Sequence, residues 1–543
     1  MFGVTSDNRV VFLGLILGLL LFGSSCSDDK NTEEPEKTAI LNFDETALPG
    51  DLEASGGKVV LTVEWAWNQW DITSEVVEGE AFISTILPAG GGSIKEGEST
   101  THVEIEYEAN DLTSQNRQKI ILSSVTNDLS EEIILTQVGR QELPVTRVVI
   151  DPDIVHQTIT GFGGANMIWG TDYLTEAEMD LAFGTDEEQL GLSIYRVRLS
   201  SNRSDWAALV NSVKMANDRG AKVLASPWSP PAEWKSNNSI NGGGYLLKEH
   251  YADFAGYINE FIQFMADNGA VVDAVSIQNE PDWEVDYEGC EYTVAEMYDF
   301  VKNYAGVIQN AKVVAAESLN SNQAYTRDIL NDPTAADNLD IVGGHLYGGG
   351  LAPYPLAREK GKEIWMTEYL LNLNSGNVPG NWTEHTDTET IWDETMEMLD
   401  GIHSAMTYDW NAYIWWYIRR YYSFLGDGNN GTQRGKILKR GYAFSHYSKF
   451  IRPGYQRIDV GTAGVSTLKM TAFRGDGNTV IVILNSSEYS EKTIEMDMPA
   501  GANSAIAFTT SSMLNRNKDV EIVSEGKVRV TLPRESVTTI VLN

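Results

Sequence analysis

Val275-Ser276-Ile277-Gln278-Asn279-Glu280-Pro281 and Ile364-Trp365-Met366-Thr367-Glu368-Tyr369 are two apolar runs that each close on a glutamate. Short apolar runs followed by amphipathic helical text are the strands of a parallel sheet covered on both faces. These two fall in the candidate strands Val272–Asn279 and Glu363–Glu368, and six more share the pattern: Gly161–Gly164, Ile194–Leu199, Lys222–Pro227, Lys312–Ser318, Ile341–Tyr347 and Tyr413–Arg419. Helical periodicity lies between several of them, as at Asp253–Asn268 and Val294–Asn310. Eight strands alternating with helices over residues 160–449 predict an α/β fold, a (β/α)8 TIM barrel. Its site lies at the C-terminal ends of the strands.

Both glutamates therefore stand at the barrel mouth. Hydrolysis of a glycosidic bond needs such a pair: one carboxyl protonates the departing oxygen, the other attacks the anomeric carbon or activates water. One strand-end Glu alone is ordinarily a structural ion-pair partner, and Glu317, closing Ala315-Ala316-Glu317-Ser318, is taken as one.

Composition narrows the partners. The 543 residues carry 77 acidic against 40 basic side chains, a formal charge of −37. That balance excludes broad binding to nucleic acid, which needs Lys and Arg against phosphates, and disfavours adsorption to anionic lipid. Two cysteines, Cys26 and Cys290, make no disulfide framework. Seven scattered histidines show no metal-ligand spacing, so neither metal nor cofactor is expected. Cys290 is read as a buried small residue. Fourteen Trp and 23 Tyr serve as core or as platforms for sugar rings.

The ends have their own grammar. Residues 1–26 hold Arg9, the apolar run Val10–Leu21 and Phe22-Gly23-Ser24-Ser25-Cys26; the run is of signal-peptide length and short for a membrane span. The pattern resembles a bacterial lipobox, which implies lipidation at Cys26; an ordinary secretory signal is the alternative. Residues 27–38 are a polar tether, and the acidic residues after Cys26 resemble a Bacteroidetes surface-export signal. A lipid anchor in the outer membrane, with the protein at the cell surface (or on the periplasmic face), follows as an expectation. Residues 39–140 alternate in short runs (Lys58–Val63, Thr101–Tyr107, Gln118–Ser123, Glu132–Gln137), as in a small immunoglobulin-like β-sandwich. With Trp65, Trp67, Trp70, Asn116–Ile121 and Ile134–Gly139, it resembles a BACON domain, read as a spacer rather than a sugar binder. Residues 141–159 link it to the barrel and supply a strand at Thr146–Val155 to a C-terminal β-sandwich side domain at 450–543. The chain is expected to be a monomer.

Asn279-Glu280 and Glu368 look like the arrangement of clan A retaining glycosidases. The wider text, Gly161-Phe162-Gly163-Gly164, Ala225-Ser226-Pro227-Trp228-Ser229-Pro230-Pro231, Gln278-Asn279-Glu280-Pro281 and Trp365-Met366-Thr367-Glu368, is similar to glycoside hydrolase family 30 over roughly residues 145–543. The resemblance implies Glu280 as acid/base, Glu368 as nucleophile and Asn279 on the sugar 2-hydroxyl, with the carboxyl at 280 raised and Glu368 ionised among donors. Trp415-Trp416-Tyr417-Ile418-Arg419-Arg420-Tyr421-Tyr422 closely resembles subfamily 8, the glucuronoxylanases. It implies Arg420 on a (4-O-methyl)glucuronic acid carboxylate, hydroxyls from Tyr417 and Tyr422, and Trp416 packed on the branch. The substrate implied is glucuronoxylan. Trp169, Trp228 and Trp234 are further stacking candidates, and His345 and Tyr347 face the nucleophile or the sugar. Two departures stand out: Tyr421 replaces a smaller residue, and Leu373 stands where the family has a serine, with Asn372, Asn374 and Ser375 as substitutes. The alternatives are a family 30 xylanase without strict uronate dependence and a non-catalytic surface glycan-binding lipoprotein.

Overall fold

The computed structural model describes residues 37–140, 144–371, 382–462, 467–499, 501–520, 522–524 and 526–543, which fall into two compact units divided near residue 142. Cys26, most of the tether and Leu373 with its neighbours lie outside the described residues. Among the described residues no helix is long and apolar enough to cross a membrane.

The first unit is two four-stranded sheets around one core. Alternation puts Leu61, Val63, Val103, Ile105, Ile120 and Leu122 inside, at 0% exposure. Trp65 and Trp70 belong to that core, and Trp67 lies partly covered beneath Lys37. Asn116, Gln118 and Gln137 are buried because the strands use them: Asn116 donates to Gln137 at 3.2 Å, and Gln118 accepts from the Phe82 amide at 3.0 Å.

The second unit contains the closed barrel of eight parallel strands. Its first strand, Gly161–Ala165, pairs with both Ile194–Leu199 and Ala412–Trp415, which closes the cylinder. Ile194, Leu224, Ala274, Val314, Ile341, Trp365, Ala412 and Ile414 pack one interior layer. The strand period of two then carries Arg196, two residues beyond Ile194, into the same interior, one layer nearer the mouth.

Three strands are shorter than the sequence suggests. The fourth covers Ala274–Ser276, the sixth Ile341–His345 and the eighth Ala412–Trp415. After the fourth and eighth the chain leaves the ladder because the residues that follow bond elsewhere: the Asn279 amide to the Pro227 carbonyl at 2.9 Å, the Glu280 amide to that of Glu317 at 3.0 Å, and the Trp416 amide to that of Tyr369 at 3.0 Å. Glu280 thereby adopts φ +46° and Glu317 φ +50°, a left-handed backbone uncommon outside glycine.

The side domain is a continuous ten-stranded sheet with its own core, including Val148, Ile458, Ile481, Ile494 and Ile540. Val145–Thr158, ahead of the barrel in sequence, lies between Gln456–Thr462 and Lys492–Asp497. The helix Lys439–Ser448 joins this sheet to the barrel through His446, bonded to Thr539 and Thr510 at 2.8 Å each.

The glycine run of the first strand permits close packing. A Cβ on Gly163 would stand 2.3 Å from the Ile194 carbonyl oxygen. Gly163→Ala is expected to cost about 1–3 kcal/mol through forced backbone movement, read as a lowered Tm in thermal unfolding. An unchanged Tm would show that the strand yields freely.

Candidate active site

Arg196 is fully buried, and a guanidinium there is tolerable only if every face finds a partner. Its Nη1 donates to Glu368 Oε2 at 2.5 Å and its Nη2 to Asn279 Oδ1 at 2.7 Å. Glu317 Oε1 lies 3.2 Å from Nη2, and Ser226 Oγ accepts from Nε at 3.3 Å. The flat faces of Trp228 and Trp416 lie 5.1 and 5.9 Å away. One side chain from the second strand thus joins residues of the third, fourth, fifth and seventh.

His345 makes the second junction. A register shift beside Gly344 sets His345 opposite Glu368. Its Nδ1 hydrogen-bonds Glu280 Oε1 at 2.8 Å, and its Nε2 lies 3.8 Å from Glu317. Burial alone would lower this imidazole, yet the charges of Glu368, Glu280 and Glu317 raise it to about 9. Burial works against the Glu317 charge as well, but Arg196 and His345 bring that carboxyl down to about 2. Tyr347 donates its hydroxyl to Glu368 Oε1 at 3.0 Å. Burial, reinforced by Glu280, raises the Glu368 carboxyl from its ordinary value against the pull of His345 and Arg196.

Glu280 and Glu368 are 8% and 6% exposed, and one oxygen of each lies with a His345 nitrogen inside 4.8 Å. Three such groups have the spacing of metal ligands, and the Nδ1 of His345 is already engaged by Glu280.

These groups open into a cleft of about 1010 Å³ whose lining includes Trp169, Trp228 and Trp416. Trp169, 41% exposed, is held edge-on to Trp228 and donates its indole N–H to the Tyr417 hydroxyl at 3.1 Å. Trp228 is a buried wall, so only its rim meets the cleft. Trp234 is a correction: it is absent from the cleft lining and stacks on His250 with its edge to Tyr257, because its short helical turn aims it at the outer helix Tyr251–Asp267. Trp283 and Tyr287, about half exposed on the loop after Glu280, line the cleft and escaped the sequence reading. So did Arg196.

Arg420 does not stand free: its Nη1 donates to Asp172 at 2.7 Å, and its guanidinium covers the Tyr417 ring at 4.3 Å. Arg419 turns inward to Glu178 (2.6 Å) and Asp172. Tyr422 is buried beside Tyr421, and both face a separate hollow of about 520 Å³ with Arg420. Cys290 is buried, which pushes its thiol up to about 12.

A closed parallel barrel with two buried carboxylates facing each other at its mouth, beneath aromatic walls, is the arrangement of a glycoside hydrolase. Residues 191–417 match the glycosyl hydrolase family 30 TIM-barrel domain. The glucuronoxylanase XynC of Bacillus subtilis (strain 168) is 37% identical over 421 residues, 76% of this chain and 95% of that protein. Among solved structures, the family 30 subfamily 8 xylanase Xyn30A of Clostridium acetobutylicum superposes with TM-score 0.64 and 34% identity, over 73% of this chain and 99% of that one. A family 30 endoxylanase of Clostridium papyrosolvens C71 gives TM-score 0.62 and 34% identity, over 73% and 100%. The chain belongs to glycoside hydrolase family 30.

The two shifted groups define a pH window. His345, raised from 6.5 to about 9, contributes stability fully below about pH 6.5 and loses it as pH rises through about 9. Glu317, lowered from 4.5 to about 2, contributes above about pH 4.5 and loses it as pH falls through about 2. Urea midpoints should therefore decline from pH 6.5 to 9 in the wild type, with that decline absent in His345→Gln. A wild-type midpoint that stays level across this window would contradict the network.

Proposed function

We propose that the protein is a retaining endo-β-1,4-xylanase of the subfamily 8 type, cleaving glucuronoxylan at positions set by its (4-O-methyl)glucuronic acid branches. The observation that carries this is the close approach of Glu280 and Glu368, within 4.8 Å, with Asn279 held beside them by Arg196. So short a separation suits direct attack on the sugar; an inverting pair stands about 6.5–9.5 Å apart to admit a water.

Glu368 attacks the anomeric carbon with a lone pair, oriented by Arg196 on one oxygen and Tyr347 on the other. Glu280 protonates the departing oxygen. The His345 bond occupies Glu280 Oε1, which leaves Oε2 to carry the proton. Asn279, its carbonyl fixed by Arg196, keeps its N–H₂ for the sugar 2-hydroxyl. Water then hydrolyses the glycosyl ester with Glu280 as base. Arg420, with Nε and Nη2 unpaired among the described residues, takes the uronate carboxylate, and Tyr417 and Tyr422 flank it.

A specific observation favours a second reading. Asp172 already occupies part of the Arg420 fork, so dependence on the uronate is relaxed to the extent that Asp172 substitutes for it. The N-terminal pattern supports a lipid anchor at Cys26 in the outer membrane. Burial of Trp65 and Trp70 favours a spacer role for the BACON-like unit.

Three measurements test the proposal. Glu368→Gln should abolish sugar release from xylan, and undiminished release would contradict the mechanism. Arg420→Ala should lower kcat/KM on glucuronoxylan by roughly 10²-fold, about 3 kcal/mol of lost carboxylate contact, whereas an unchanged value selects relaxed dependence. The wild-type products should be uronate-tagged oligosaccharides with a fixed branch position. Equal digestion of unsubstituted xylan would remove the branch-directed part.

A further inference from the structure

Beyond the strand-end arginines, a chain of alternating charges runs out to a loop that nothing above assigns. Arg420 donates to Asp172 at 2.7 Å, and Asp172 also bonds Arg419. Arg419 donates to Glu178 at 2.6 Å, and the Nε of Arg434 lies 3.6 Å from the other Glu178 oxygen. The order is cation, anion, cation, anion, cation. Its interior members are spent on each other, and its two ends, Arg420 and Arg434, both line the 520 Å³ hollow.

The ends are the groups with donors to spare. Arg434 makes no hydrogen bond among the described residues, its side chain is 59% exposed, and Arg420 keeps Nε and Nη2. Three guanidiniums against two carboxylates leave one positive charge along the chain. Asp427, also in the lining, brings the formal sum to zero, but its carboxylate accepts from the Asn429 amide and side chain at 3.0 Å each, so it belongs to its own turn.

The position of Arg434 is built, not incidental. It rides a hairpin-like loop in which the Gly426 amide bonds the Lys436 carbonyl and the Gly435 amide bonds that of Gly426, at 2.9 Å each. Asn430 ties the loop tip to the Trp382 carbonyl at 2.8 Å. Glu178 is locked from below by a capping box with Thr175 at the start of its helix. The loop therefore carries its cation into the lining of the hollow.

We infer that Arg434 is a second cationic wall of the branch pocket and a specificity-determining residue: an anionic sugar entering the hollow is held between Arg420 and Arg434, extending the alternation by one more anion. This rests on the uronate reading of Arg420. It adds that the pocket selects a carboxylate by two guanidiniums from different loops, with Asp172 and Glu178 as positioning residues beneath them.

The test compares Arg434→Ala, Arg420→Ala and the double variant on three substrates: glucuronoxylan, the same polymer with its uronate carboxyls reduced to alcohols, and unsubstituted xylan. Arg434→Ala should lower kcat/KM on glucuronoxylan roughly tenfold, the scale of one lost charged contact, and leave the other two substrates unchanged. Arg434→Lys should restore part of the loss. The double variant should lose less than the product of the single losses, since both groups act on one anion. If Arg420→Ala falls and Arg434→Ala equals wild type on glucuronoxylan, the second wall is refuted and the Arg420 assignment survives. If neither variant falls, both are refuted. A loss of equal size on all three substrates would make Arg434 a structural residue and overturn its role in selection.

Discussion

The burial of the Arg196 guanidinium is the constraint on which the site depends. Removing a cation from water costs several kcal/mol, and breaking such a pair by deleting one partner costs about 3–5 kcal/mol because a bare charge remains. Glu368, Asn279 and Glu317 each answer one edge of that guanidinium, so their positions are fixed together. His345 ties the remaining carboxylate, Glu280, to the same network. Two cations and three carboxylates leave the cluster with one net negative charge. In the proposed mechanism that charge takes up the single proton acid catalysis needs and faces a transition state that develops positive charge on the sugar.

Much of this was legible in the sequence, for physical reasons. The eight barrel strands are apolar runs that water cannot be allowed to touch, and the glutamates at positions 280 and 368 break those runs where the barrel meets solvent. Arg196 was not legible, because a cation inside an apolar strand carries no sign of which layer it occupies. Its meaning comes from partners 30 to 172 residues away. Glu317, read as structural, is indeed an ion-pair partner, but one that holds the site itself. Trp234 misled because an aromatic beside a Pro-rich strand end looks the same whether it faces the cleft or an outer helix. Asp172, far from Arg420 in sequence, was hidden by that distance.

The overall charge of −37 stands against an anionic polysaccharide as substrate. Screening over about 8 Å at physiological salt confines that conflict to short range, where local geometry decides. At the hollow beside the eighth strand, arginines from two loops outnumber the carboxylates that link them. Position, rather than net charge, sets what this face attracts.

The central claim is that Glu368 forms a covalent glycosyl ester which Glu280 then helps to hydrolyse. The most direct measurement is proton NMR of the first anomer released from a xylo-oligosaccharide substrate, read before mutarotation. The β-anomer appearing first is the predicted result, since two displacements restore the original configuration. Initial accumulation of the α-anomer would show a single displacement by water and contradict the assignment of Glu368.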